Sequence, residues 1–317
     1  MSDLPRRVLI CEEGPREGFQ ALPPLPAAEK VRLITALAET GLAQIDCASF
    51  VSPKLVPQMA DAEAIAAAIA AHGKRPGVRY MSLWLSEGGF RRALATPLDV
   101  VTNVMVVVSS TAARKNNGCS GAELVRRQGA LIDLYREHGF GVDYAHVSTA
   151  FGCTFEGRIG AAQAIATIAD LLAVCDDHGA RPKVIYLSDS VGMGTPAAVH
   201  ELVCEARTRW PDQEFALHLH DTRGMGLANV WAGLQLGITR YDASIGGMGG
   251  CPFTGATGAI GNICTEDLAA MCADLGIETG LDLEALVDCA HLAEEIVGRP
   301  LPGRIMRTRA RRVAAVA

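Results

Sequence analysis

Two histidines two positions apart, His218 and His220, are the residues whose type and spacing point most directly to chemistry. They lie in EFALHLHDTRGMG at 214–226, where an apolar run gives way to polar residues and glycines. Side chains two apart in a β-strand point to the same face, so both imidazoles would face one side where the strand ends. That arrangement suits a metal ion, although two structural histidines of a core would give the same pattern.

The elements that must position this pair alternate along the chain between β-branched runs and alanine-rich amphipathic segments. Eight such alternations, with no linker between them, predict an α/β fold, a (β/α)8 TIM barrel with an extra C-terminal helix. We expect one catalytic domain over 1–317 with a C-terminal helical tail from about residue 281. The predicted strands span 8–12, 44–50, 78–85, 100–108, 141–150, 183–188, 215–220 and 241–245, and the predicted helices span 27–41, 61–72, 89–95, 121–138, 161–178, 196–209, 227–236 and 283–297.

A doubly wound dinucleotide-binding sheet is the competing architecture, because glycine pairs occur at 192–194 and 224–226. Neither completes GxGxxG, and neither lies in a first βαβ unit with an acidic residue about 20 positions later. We interpret both as turn glycines.

Composition limits the class of protein. The chain has 317 residues, 49% of them hydrophobic, and a formal charge of −6, which predicts a globular protein with no broad basic surface for nucleic acid. No apolar run is long enough to cross a membrane, and the N-terminus does not have the pattern of a secretory signal. The ten cysteines include no CxxC pair. We expect free thiols and a cytoplasmic location.

Polar groups follow five of the predicted strands, at the end of a barrel where active sites are built. The first strand leads into Arg16 and Glu17, the second contains Asp46, and the sixth leads into Asp189. The seventh carries the two histidines, and the eighth runs into the glycine-rich stretch GGMGGCPFTGATGAIGN at 246–262. We therefore expect these segments to form one site.

Six stretches in this order resemble the 3-hydroxy-3-methylglutaryl-CoA lyase family of metal-dependent TIM-barrel lyases. They are GPREGFQ at 14–20, SFVSPKLVPQM at 49–59, FGCTFEG at 151–157, SDSVGMGTP at 188–196, HLHDTRG at 218–224 and GGMGGCPF at 246–253, the last followed by GN and TEDL. The resemblance implies a carbon–carbon lyase that cleaves a 3-hydroxyacyl-CoA thioester to acetyl-CoA and a 3-keto acid, with Mg²⁺ or Mn²⁺ as cofactor.

The resemblance also implies roles for single residues. Those at metal-ligand positions are Glu17, His218, His220 and Asn262; those at catalytic positions are Arg16, Asp46, Asp189 and Cys251; and those expected to contact substrate are Gln20 and Arg223. Simpler readings stay open, in which Arg16 forms a rim salt bridge, Asp189 caps a helix and Cys251 is inert. Cys153, in the matched FGCTFEG stretch, has no assigned role.

Departures from the family pattern bear on the substrate. Glu17 stands where the family has Asp, and Asp46 where it has Glu, so the two acids are exchanged. Arg223 replaces a usual tyrosine, and the segment from Cys251 to Asn262 is two residues longer than usual. We therefore expect a related hydroxyacyl-CoA substrate, and by analogy a homo-oligomer such as a dimer. The alternatives are a Claisen-type condensing synthase and a non-catalytic scaffold.

Overall fold

Eight parallel strands form one curled sheet in the computed structural model, which describes residues 4–250 and 261–308. Its strands are β1 (Leu9–Glu12), β2 (Gln44–Ser49), β3 (Arg79–Leu83), β4 (Asn103–Val107), β5 (Val142–Ser148), β8 (Pro182–Asp189), β9 (Glu214–Leu219) and β10 (Arg240–Ala243). Around the sheet they follow the order β3-β2-β1-β10-β9-β8-β5-β4. A separate antiparallel pair, β6 (Gly152–Cys153) and β7 (Gly157–Arg158), lies after β5.

The two end strands of this order come together through the segment before β4. Asp99 donates its amide to the carbonyl of Tyr80 at 2.8 Å, and its carboxylate accepts the Tyr80 amide at 2.8 Å. Across the interior, Gln44 of β2 bonds to the hydroxyl of Tyr144 on β5 at 2.8 Å. The sheet therefore encloses an interior, and the predicted barrel architecture is confirmed.

Helices cover the outside of the sheet. They are α1 (Ala27–Ala38), α2 (Ala62–His72), α3 (Glu87–Leu94), α4 (Ser110–Asn117), α5 (Gly121–Glu137), α6 (Ala161–Asp177), α7 (Pro196–Arg209), α8 (Gly226–Gln235), α9 (Thr265–Asp274), α10 (Leu283–Val297) and α11 (Ile305–Thr308). Helices α3, α4, α5 and α7 begin at a side-chain cap, formed by Ser86, Ser109, Ser120 and Thr195 respectively. Each side-chain oxygen accepts a hydrogen bond from a backbone amide in the first turn, which satisfies a donor that the helix leaves unpaired. The extra helix predicted over 283–297 is α10, which packs against α1 and α9.

Four of these elements were not predicted from the sequence: α4, α9, α11 and the β6–β7 hairpin. Helix α4 has the polar sequence STAARKNN and α9 begins with two buried acids, so neither shows a clear apolar stripe. Over residues 4–250 and 261–308, no helix combines the length and apolar character that spanning a bilayer requires.

Candidate active site

The chain leaves β1 through a π-helical turn, Gly14–Gly18, that carries Arg16 and Glu17 into the barrel mouth. The carbonyl of Glu13 accepts the amides of Arg16, Glu17 and Gly18 at 3.2, 2.8 and 3.4 Å, which holds the turn tightly. Single π-helical turns are frequent at functional sites because they re-aim side chains. Here the turn directs Glu17 toward His220 at the end of β9 and Arg16 toward Asp46 of β2.

Four groups from distant parts of the chain meet beside this turn. The Nε2 atoms of His218 and His220 lie 3.2 Å apart, and that of His220 is 3.1 Å from Oε1 of Glu17. Asn262 donates from Nδ2 to the same Glu17 oxygen at 3.2 Å. The predicted metal-ligand positions therefore lie together at one place.

The donor set fits a divalent cation. Ligand atoms of Glu17, His218 and His220 all lie within 4.8 Å of one another. Oδ1 of Asn262 is buried and has no hydrogen-bond partner among the described residues, so an oxygen ligand is left over at this place. Carboxylate and amide oxygens are ligands for hard divalent cations, and imidazole nitrogens bind divalent transition metals, so the mixture suits a divalent cation.

Asp242, which sequence reasoning missed, orients one of the imidazoles. Its Oδ2 lies 3.0 Å from Nδ1 of His218, and Asp242 is 2% exposed. A carboxylate on one ring nitrogen fixes the tautomer and leaves the other nitrogen free to bind a metal. Burial alone would lower the pKa of His218, but the carboxylates of Glu17 and Asp242 raise it above its ordinary value.

Arg16 is surrounded by acids. Its Nε donates to Asp46 at 2.8 Å, Nη1 donates to Glu17 at 3.2 Å, and Nη2 contacts Glu13. Burial raises the pKa of Asp46, and the guanidinium only partly opposes this. Burial would likewise raise the pKa of Glu17, but His218, His220 and Arg16 bring it well below its usual value.

Asp46 owes its position to a local irregularity. The pairing of β2 with β3 shifts register between Asp46 and Ala48, so Cys47 forms a bulge. A β-bulge twists the strand and redirects side chains near active sites. Oδ1 of Asp46 is buried without a partner in the described part of the chain, while Oδ2 binds Arg16. The exchanged acids, Glu17 and Asp46, thus bind the same guanidinium.

Asp189 is placed differently from the other predicted catalytic residues. It is fully buried, and its two oxygens accept the amides of Met193 and Gly194, both at 2.8 Å. The helix cap that follows is Thr195, not Asp189. Asp189 is absent from the described lining of the cavity, so its geometry is that of a residue that shapes the loop, and its catalytic role stays a prediction.

Of the remaining predicted residues, some line the cavity, one lies away from it and one is outside the described part of the chain. Gln20 is partly buried and lines the cavity, whereas Arg223 is exposed on the loop after β9 and is not among the described lining residues. Cys153 is buried, accepts a hydrogen bond from Ser109 at 3.1 Å and lines the cavity. Cys251 and the longer segment that follows it lie outside the described residues.

The site opens into a cavity of about 230 Å³. Besides the groups above, it is lined by His146, whose ring stacks on Tyr186 with centroids 4.9 Å apart. Burial lowers the pKa of His146 to about 4, so the ring is neutral at neutral pH. Thr149, at the rim, has φ 58, a conformation that β-branched residues rarely adopt.

Glu13, Asp242 and His146 could have been found from strand alternation. Cys11 and Ser148 line the cavity, and side chains two positions apart along a strand point to the same face. Glu13, two positions after Cys11, and His146, two positions before Ser148, are therefore expected to face the barrel interior. Asp242 is the single acid of the short strand RYDA. An acid in a buried strand of a parallel barrel is unusual unless it has a partner.

Known proteins similar to this chain support its fold and its family. A family model described as HMGL-like matches residues 7–293. Hydroxymethylglutaryl-CoA lyase of Gallus gallus is 39% identical over 90% of this chain and 91% of its own length. A 3-hydroxy-3-isohexenylglutaryl-CoA/hydroxy-methylglutaryl-CoA lyase of Pseudomonas aeruginosa is 35% identical over 94% of this chain and 95% of its own.

A solved structure shows the same fold. An HMG-CoA lyase from Acinetobacter baumannii, in complex with coenzyme A and 3-methylmalate, superposes with a TM-score of 0.86 at 32% identity and covers 100% of this chain and 99% of its own. The fold and site define a TIM-barrel protein whose rim groups side chains that could hold a metal ion. This chain belongs to the HMGL-like family.

Proposed function

We propose that this protein is a carbon–carbon lyase that cleaves a 3-hydroxy-3-methylglutaryl-CoA-like thioester to acetyl-CoA and a 3-keto acid. The observation that carries the proposal is the convergence of Glu17, His218, His220 and Asn262 on one place at the barrel mouth, in a chain of this family. Relatives named for this reaction, and one crystallised with coenzyme A, support an acyl-CoA substrate.

The cation that these four residues would hold is Mg²⁺ or Mn²⁺. When bound, it supplies Lewis acidity that makes the tertiary hydroxyl of the substrate easier to deprotonate. The chain's own residues then have three tasks. One accepts the hydroxyl proton, another stabilises negative charge on the thioester oxygen, and a third protonates the carbon that leaves.

Asp46 is better placed than Asp189 to accept the proton. It lines the cavity with a free Oδ1 and a raised pKa, whereas both oxygens of Asp189 are bonded to amides. A carboxylate whose pKa is moved toward neutrality is suited to general base catalysis. Loss of the hydroxyl proton lets the C3–O bond become a carbonyl while the C2–C3 bond breaks, and its electron pair passes to C2.

Arg16 would stabilise the enolate that results, because a guanidinium keeps its charge and offers several donors in a fixed plane. Protonation at C2 completes acetyl-CoA, and we propose the Cys251 thiol as that proton donor. Gln20 and Arg223 are proposed substrate contacts; Gln20 lines the cavity. We also propose a cytoplasmic location and a homo-oligomer.

The decisive experiment is an assay of acetyl-CoA release from 3-hydroxy-3-methylglutaryl-CoA by the purified protein. We expect activity that EDTA abolishes and that Mg²⁺ or Mn²⁺ restores. The His220→Ala variant should no longer bind Mn²⁺. Its kcat/KM should fall at least a thousandfold, because the cation would no longer stabilise negative charge in the transition state by several kcal/mol. His178→Ala, at a surface histidine paired with Asp133, is the matched control. Undiminished cleavage after EDTA treatment would contradict the proposal.

A further inference from the structure

The cavity continues below the reacting groups into the barrel interior. A cluster of seven buried side chains, here called the lower layer, packs there and consists of Cys11, Met81, Val101, Tyr144, Val184, Tyr186 and Ala216. Ala216 precedes His218 by two residues, and Cys11 precedes Glu13 by two. Because a strand rises about 3.3 Å per residue, the lower layer lies roughly 7 Å further down the strands than the reacting groups.

Side chains normally fill the interior of a barrel in successive layers. Here the cavity reaches five members of the lower layer, which are Cys11, Met81, Val101, Tyr144 and Tyr186. We call this deep part of the cavity the lower arm. Room for a ligand therefore exists on the side of the reacting groups that faces away from the mouth.

The lower arm holds no charge that would bind an anion. Arg16 is the only arginine or lysine among the described lining residues, and it lies at the mouth in contact with three carboxylates. Burial raises the pKa of Tyr144 to about 12 and that of Tyr186 well above its ordinary value, so both phenols are neutral. A carboxylate buried there would find no cation to offset its loss of water.

The orientation of the substrate follows from its size. Coenzyme A is too large for the barrel interior, so the thioester must leave through the mouth, where Leu85 is 47% exposed. With C3 held at the reacting groups, a branch on C3 that points away from the mouth enters the lower arm. The names of relatives leave the length of this branch open, since they include a methyl and an isohexenyl substrate.

We propose that the lower arm binds an apolar alkyl or alkenyl branch at C3, several carbons longer than methyl. The inference rests on the proposed lyase function and specifies its substrate class: 3-hydroxy-3-alkylglutaryl-CoA thioesters with an extended hydrocarbon branch. Met81 and Val101 supply the aliphatic wall, and the Tyr186 and Tyr144 rings supply the aromatic wall. Methyl alone leaves most of this surface uncovered.

The test compares acetyl-CoA release from thioesters whose C3 branch is methyl, propyl or pentyl. Each buried methylene is expected to raise kcat/KM about fourfold, which corresponds to about 0.8 kcal/mol. Pentyl should therefore exceed methyl on the order of a hundredfold. A pentyl branch that ends in a carboxylate should fall at least tenfold below plain pentyl.

Val101→Phe fills the lower arm and should lower the pentyl-to-methyl ratio of kcat/KM at least tenfold. Val100→Phe is the matched control, because Val100 also precedes β4 but packs against the core outside the barrel and is not among the described residues that line the cavity. Its ratio should equal that of the wild type. Met81→Ala enlarges the arm and should shift the preferred branch to a longer chain, which keeps the inference testable even if Val101→Phe does not fold.

The outcomes separate the two claims. Cleavage that is best with methyl and falls with each added methylene overturns the inference and leaves the proposed lyase function standing. An unchanged ratio in Val101→Phe, with thermal unfolding that shows a folded protein, also overturns it. Cleavage of no thioester in the presence of Mn²⁺ contradicts the lyase function itself and, with it, this inference.

Discussion

The two sides of the cavity differ in how their polar atoms are satisfied. On the side formed by β1, β9 and β10, Arg16, Glu17, His218 and Asp242 each bind a partner from another element. On the side that runs from β8 through β5 and β4 to β3, the hydroxyls of Ser82 and Tyr186 are buried without a hydrogen-bond partner in the described part of the chain. The charged side is ordered by its ion pairs and hydrogen bonds, whereas the neutral side is shaped mainly by packing.

This difference has a physical reason. Buried charges are stable only when paired, so several acids around one arginine and two imidazoles hold one another in place. Neutral hydroxyls cost much less to bury, and aromatic and aliphatic neighbours can fix their positions. We therefore expect substitutions on the charged side to change chemistry and metal binding, and substitutions on the neutral side to change stability or substrate choice.

The largest effect is expected from Arg16→Lys. A lysine cannot bind Asp46, Glu17 and Glu13 at once, and its point charge lacks the planar set of donors that would stabilise the enolate. We expect kcat/KM to fall on the order of a thousandfold, comparable to loss of an oxyanion donor. The assay is acetyl-CoA release with saturating Mn²⁺.

Arg240→Lys is the matched control, because Arg240 pairs with Glu214 where β9 and β10 begin, at the opposite end of the barrel. It should retain wild-type kcat/KM. An Arg16→Lys protein within tenfold of the wild type would show that the charged side does not depend on its guanidinium.

A smaller effect on the same side is expected from Asp242→Asn. The substitution removes the negative charge that orients His218, and changes of this kind lower metal affinity about 10- to 100-fold. Isothermal titration calorimetry with Mn²⁺ measures this affinity. Asp133→Asn, at a surface carboxylate 2.8 Å from Nδ1 of His178, repeats the change away from the site and should leave affinity unaltered. Equal affinities in the two variants would refute a role for Asp242.

His146 tests the neutral side through the pH dependence of stability. Burial lowers the pKa of His146 from 6.5 to about 4. Between these two pH values His146 is protonated in the unfolded chain but neutral in the folded protein. Stability is therefore present above pH 6.5 and is lost as the pH falls toward 4, by on the order of 2 kcal/mol. His146→Phe should flatten this dependence in chemical denaturation between pH 4.5 and 7.5.

His178→Phe serves as the comparison for this experiment, since His178 lies on the surface beside Asp133. The same replacement at a surface position controls for the exchange of a histidine ring for an apolar ring. If His146→Phe and the wild type lose stability in parallel over this window, His146 is not held neutral by burial.

The smallest effect is expected from Ser82→Ala. The Ser82 hydroxyl lines the cavity, is 5% exposed and has no hydrogen-bond partner among the described residues. Removing a buried, unsatisfied hydroxyl should change kcat/KM by less than about twofold and stability by no more than about 1 kcal/mol. A large loss of activity would mean that a substrate atom bonds to Ser82, and the neutral side would then do more than shape the cavity.

Much of the barrel follows from local patterns in the sequence. All eight predicted strands are present, because each is a short, largely apolar run that ends at turn or loop residues. Helix α10 has its predicted bounds, since Asp282 caps its start and Gly298 ends it in a left-handed conformation. Helix α4 was missed because its sequence is mostly polar and only two of its residues, Ala112 and Ala113, are buried, which is too few to form an apolar stripe.

The site was predicted in part. Arg16, Glu17, His218, His220 and Asn262 come together as their family positions implied, and Asp46 joins them through Arg16. The sequence does not specify the paths of the loops after β8 and β9. It therefore does not show that backbone amides donate hydrogen bonds to Asp189, or that Arg223 is exposed. Strand alternation could have placed Glu13 and Asp242 inside the barrel, but it could not identify their partners, Arg16 and His218.

The sequence by itself determined the order of strands and helices and the residue types at the barrel mouth, because periodicity and turn chemistry are local properties of the chain. Only the tertiary structure decided that three acids bind one guanidinium, that Asp242 orients His218, and that the cavity continues down to Val101. Distances between atoms hundreds of residues apart depend on how the strands curl and tilt around a common axis, and no local pattern contains them.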